Sequence, residues 1–100
     1  MSDKLYTSYE IKNRLEPVFR SNGVRQAILF GSYSKGNATP TSDVDLLVDS
    51  GLKGLQFVGL IEAVREALDK EIDMFDVRHI EADSLIDHEI KATGQVIYEK

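Results

Sequence analysis

Residues 29–48 read LFGSYSKGNATPTSDVDLLV, and no other stretch constrains the fold as tightly. Ala27 to Phe30 is a short apolar run ending at Gly31, the pattern of a strand entering a buried sheet. A polar spacer follows. Val44, Leu46 and Val48 then alternate with Asp43, Asp45 and Leu47, the pattern of a second strand, closed by Gly51. Carboxylates at i and i+2 of a strand leave the same face, and two that close normally raise one pKa. A chain that carries such a pair into its core must do something with it.

The remaining periodicity sets the frame. Ile11, Leu15, Val18 and Phe19 recur on one face of a helix. Ser8 is placed to cap it, and Asn22-Gly23 to stop it. Pro17 lies inside this pattern, and a kink or break is expected there because its ring crowds the carbonyl of Asn13. Phe57, Leu60, Ile61, Val64 and Leu68 mark a second amphipathic helix. Ile72 to Val77 reads as a third strand. Ala82 to Ala92 reads as a last helix, with Leu85, Ile86 and Ile90 inward and Gly94 as its stop. Gln95 to Tyr98 reads as a final strand. This order predicts a small α/β (α+β) domain with a mixed β-sheet and helices packed on one face. With 100 residues, one domain over residues 1–100 is expected.

Composition narrows the classes. Hydrophobic residues at 42% and charged residues at 29% suit a soluble globular protein. A net charge of -5 argues against a general nucleic-acid binder. The absence of cysteine excludes disulfides and thiolate metal sites. No apolar run reaches membrane-spanning length, and MSDKLYTSYE is no signal peptide, so a cytoplasmic protein is expected. Without such a signal, the Asn37-Ala38-Thr39 sequon reads as plain loop.

Gly31 to Gly36 has the glycine spacing of a P-loop, but Asn37 and Ala38 stand where its lysine and Ser/Thr belong. That reading fails. A glycine after a strand still lets backbone approach a ligand closely, and Ser32 adds a hydroxyl donor. Alone, a Gly-Ser after a strand is usually just a turn. Asp43 and Asp45 taken alone read more readily as a turn cap beside a solvated edge charge than as a site. Asp73 changes the balance, because it stands between Ile72 and Met74 inside an apolar strand pattern. If the third strand neighbours the second, Asp73 projects from the same face as Asp43 and Asp45. A divalent cation would remove the conflict among these carboxylates, and oxygen-only ligands favour Mg²⁺ or Mn²⁺ over zinc. Three convergent carboxylates beside a phosphate-friendly turn describe a two-metal phosphoryl or nucleotidyl transfer site. Asp49 and Asp76 read as solvated or capping charges, and His79 and His88 as surface or capping residues. Asp87, Glu89 and Lys91 read as a solvated helix face.

Together, Gly31-Ser32, Asp43-Val44-Asp45 and Asp73 resemble the nucleotidyltransferase superfamily that includes DNA polymerase beta. The nearer resemblance is to the minimal nucleotidyltransferases, and it covers almost the whole chain, from the leading helix to Gly94-Gln95-Val96-Ile97-Tyr98. The resemblance implies that Gly31 and Ser32 bind the β- and γ-phosphates of ATP. It implies that Asp43 and Asp45 hold two Mg²⁺ ions, and that Asp73 completes the metal site that activates an acceptor hydroxyl. Relatives commonly carry a basic residue directly after Gly-Ser, where this chain has Tyr33; Lys35 is the candidate to take over the phosphate contact.

Minimal members resemble antitoxins encoded beside HEPN-type toxins, which are helical RNases. The implied function is transfer of AMP from ATP to a toxin hydroxyl, a tyrosine by expectation. The competing reading is an antitoxin that neutralises the toxin by binding alone, with its negative charge drawing in a basic RNase. Transfer to a small molecule such as an antibiotic is disfavoured, since a chain this short has no room for a substrate domain. A free edge strand would give one route to a homodimer.

Overall fold

The computed structural model describes residues 4–100. Helix α1 (Ser8–Ser21) leads into β1 (Gln26–Phe30), a short helix α2 (Ser32–Lys35) and β2 (Val44–Asp49). Helix α3 (Leu55–Leu68), β3 (Ile72–Asp76), a 3₁₀ turn (Val77–His79), α4 (Leu85–Thr93) and β4 (Gln95–Glu99) complete the order. The strands form one four-stranded mixed sheet in the order β3-β2-β1-β4. β1 runs antiparallel to both β2 and β4, whereas β2 and β3 are parallel. Parallel neighbours need a crossover rather than a hairpin, and α3 supplies it.

Burial follows the alternation in the sequence. Ala27 and Leu29 of β1 and Val44, Leu46 and Val48 of β2 are buried with Ile11, Leu15 and Phe19 of α1 and Leu60, Val64 and Leu68 of α3, in one core. Phe19 also meets Tyr98 of β4, with ring centroids 5.5 Å apart. The alternate residues point the other way, where Phe30 and Phe75 meet at 5.9 Å. Asp45 and Asp73 belong to that second face.

Several local details differ from the sequence reading. The cap of α1 is Thr7, not Ser8. Its hydroxyl accepts the Glu10 N–H at 3.1 Å, and the Glu10 carboxylate accepts the Thr7 N–H at 2.8 Å, a reciprocal capping box. Helix α1 runs through Pro17 without a break, because Leu15 and Phe19 on either side anchor it to the core. Helix α4 begins at Leu85, which is 89% exposed rather than inward. Ile86 and Ile90, one turn apart, share the half-buried stripe, and Leu85 lies about 100° around the helix from Ile86. Asp76 caps the 3₁₀ turn as expected, yet it is 7% exposed rather than solvated. Arg78 donates to it from the side chain and the backbone, which holds its carboxyl down at about 2.

Candidate active site

The two ends of the polar spacer meet at one corner of the sheet. The β1–β2 register sets Phe30 opposite Asp45, and the parallel β2–β3 register sets Asp45 opposite Asp73. The residue after Phe30 must therefore turn the chain directly over Asp45. Gly31 does so with φ 74 and ψ −150, a conformation essentially confined to glycine. A Cβ on Gly31 would collide with Asp45 Oδ2 and lie 3.3 Å from its Cγ. The glycine is needed for that approach as much as for the turn.

Asp43 stands just ahead of β2 and is exposed, and Asp73 is also exposed. Asp45 is half-buried between them. Burial is the largest cause that pushes its carboxyl up to about 6, followed by the charges of Asp73 and Asp43. A hydrogen bond to Asp73 and the charge of Glu89 add to the effect. Glu89 was assigned to a solvated helix face by the sequence pattern, and no sequence signal links it to Asp45; α4 delivers it.

The α2 corner is built from the same helix. The Gly31 N–H donates to Thr93 Oγ1 at 2.9 Å, so that donor is already used within the fold. Thr93 Oγ1 donates onward to the Glu89 carbonyl at 2.8 Å, and the Ser34 hydroxyl donates to the Thr93 carbonyl. The Ser32 hydroxyl has no hydrogen-bond partner among the described residues. Lys35 is exposed and its Nζ lies 3.8 Å from Glu89 Oε1. Tyr33, in the place where a basic residue was expected, is 3% exposed and sits in the core. Its side chain is turned inward, whereas Lys35 of the same turn is exposed and Ser32 is partly exposed. The spacer itself is pinned by buried Lys70, 6% exposed, whose Nζ donates to the carbonyls of Lys4 and Pro40 at 2.7 and 2.5 Å.

Among the described residues, no three acids or histidines close on one point as a formed cation site would. The chemistry of the donors nonetheless suits a hard divalent cation. Every candidate ligand is a carboxylate, and Asp45 carries a charge conflict that such a cation relieves. A cavity of about 770 Å³ lies elsewhere, at the far end of β3 between Phe57, Phe75 and Arg78. It contains none of these acids.

Residues 13–100 match the family model of the polymerase beta nucleotidyltransferases. The chain belongs to that family. A relative from Methanocaldococcus jannaschii, provisionally named a protein adenylyltransferase, is 37% identical over 73 residues, covering 71% of this chain and 78% of its own. Among solved structures, this nucleotidyltransferase fold is similar to that of a toxin–antitoxin structure with AMP-PNP (TM-score 0.75, 25% identity, 89% of this chain and 73% of that one). It is similar in fold to a complex of a tri-AMPylated Shewanella oneidensis HEPN toxin with an MNT antitoxin (TM-score 0.70, 21% identity, 94% and 74% covered). It is also similar to a structure provisionally described as a minimal nucleotidyltransferase (TM-score 0.72, 23% identity, 90% and 95% covered).

Proposed function

We propose that this nucleotidyltransferase is a protein adenylyltransferase antitoxin that transfers AMP from ATP to a hydroxyl of a HEPN-type toxin, with two Mg²⁺ ions. The observation that carries the reading is Asp45, seated against the Gly31 turn and in register with Asp73. Its context supports the acceptor class, since the Methanocaldococcus relative bears the adenylyltransferase name and a structural neighbour is a toxin–antitoxin structure with AMP-PNP.

In this reading Asp43, Asp45 and Asp73 hold the cations. When bound, Mg²⁺ would neutralise charge on the attacking and leaving oxygens of an in-line displacement at phosphorus. Ser32 donates its hydroxyl to the β- or γ-phosphate, and Lys35 supplies a flexible point charge beside it. Gly31 lets the α2 turn lie close to Asp45. Asp73, exposed next to Asp45, meets the incoming acceptor hydroxyl and takes up its proton. The acceptor oxygen bonds to the α-phosphorus, the bond to the bridging oxygen breaks, and pyrophosphate leaves. The pair is then a cytoplasmic one; no helix among the described residues is long and apolar enough to cross a membrane.

Incubation with labelled ATP, Mg²⁺ and the partner toxin should label the toxin, and Asp43→Asn with Asp45→Asn should abolish the label. No labelling by the wild type would sink the reading. If the double variant still protects cells fully, binding alone neutralises the toxin.

A further inference from the structure

Helix α4 reaches the α2 corner through more than packing. Thr93 receives the Gly31 N–H and the Ser34 hydroxyl, and it donates to the Glu89 carbonyl. These bonds fix where the Glu89 side chain starts. From there its carboxylate faces Lys35 at 3.8 Å, and its charge is felt at Asp45. Lys35 is the cation of the α2 turn, and both members of the pair are partly exposed, at 45% and 42%. An exposed pair at this distance is weak and readily exchanged. A triphosphate arriving beside Ser32 offers Lys35 a denser negative charge than one carboxylate. Glu89 gains nothing from the triphosphate, which it repels.

We propose that Glu89 is a positioning residue that competes with nucleoside triphosphate for Lys35. In the free protein the Lys35–Glu89 pair is closed. When nucleotide binds, the pair opens and Lys35 moves to the terminal phosphates. Glu89 thereby restrains affinity for the triphosphate and draws Lys35 back once pyrophosphate has left. The proposal rests on the reading of this corner as a triphosphate site, but it makes a separate demand: removing the Glu89 charge must strengthen binding through Lys35.

Calorimetric titration of the full chain with AMP-PNP, at low salt with excess Mg²⁺, tests it on the wild type, Glu89→Gln, Lys35→Met and the double variant. Glu89→Gln should tighten binding by about fivefold, and the gain should shrink as salt screens the charges. In the Lys35→Met background the same substitution should give a clearly smaller gain. Glu89→Asp should bind close to wild type, and none of the Glu89 variants should shift the melting temperature enough to explain the change. Equal gains with and without Lys35, or no gain, overturn the proposal while leaving the triphosphate site standing. No AMP-PNP binding by any of the proteins overturns both together.

Discussion

Gly31→Ala is the sharpest test of how the active corner is assembled. At φ 74 and ψ −150 an alanine occupies a backbone region that costs about 1–3 kcal/mol. Its methyl group also meets the Asp45 carboxylate, with Oδ2 in collision and Cγ at 3.3 Å. Swinging that side chain off its rotamer adds about 1 kcal/mol. The sum is about 2–4 kcal/mol, which at about 4–8 °C per kcal/mol for a domain this size lowers the melting temperature by at least about 8 °C. A misplaced Asp45 should also cut AMP transfer by about 100-fold. Gly36→Ala is the control. Gly36 has φ 80, but nothing lies within 4 Å of an added Cβ, so it carries only the left-handed backbone cost of about 1–2 kcal/mol. Thermal melts and labelled-AMP transfer read both effects. A Gly31→Ala protein that melts like Gly36→Ala and transfers normally would refute the close packing of Gly31 on Asp45 as a functional constraint.

Asp45→Asn should stabilise the metal-free protein while abolishing transfer. Asp45 binds its proton more tightly folded, at about 6, than as an ordinary carboxyl near about 3.9, so folding loses stability as pH rises between those values and bears the full penalty above them. Discounted for a half-exposed side chain, the gain at pH 7–8 is about 1 kcal/mol and fades as pH falls toward 4; urea denaturation in EDTA at both ends of that range measures it. Millimolar Mg²⁺ should raise the melting temperature of the wild type but not of Asp43→Asn with Asp45→Asn, and an equal rise in both would remove these carboxylates from the metal site. Tyr33 Oη is buried with no hydrogen-bond partner among the described residues. Tyr33→Phe should therefore stabilise by about 1 kcal/mol without loss of transfer, whereas a lower urea midpoint would show that the hydroxyl is satisfied.

The order of helices and strands was legible because apolar periodicity depends on each residue's own element. So was the Gly31-Ser32 break, since a buried strand that stops at glycine has few local alternatives. Proximity across the chain was less legible. The helical turn after Gly31 looked like plain spacer, since α2 is only four residues long and has no apolar stripe of its own. Tyr33 looked like a missing phosphate contact until the turn of α2 aimed it into the core.

By itself the sequence determined a small mixed α/β domain in which a glycine break and a pair of acids flank one spacer, with a third acid held in a later strand. Local steric and hydrophobic preferences suffice for that much. Only the tertiary structure decided that Asp73 faces Asp45 across a parallel register, that Gly31 spends its N–H on Thr93, and that Glu89 stands against Lys35. Those facts depend on strand registry and on where α4 docks. Electrostatic coupling acts through space, and the distances that set its strength exist only once the chain has folded.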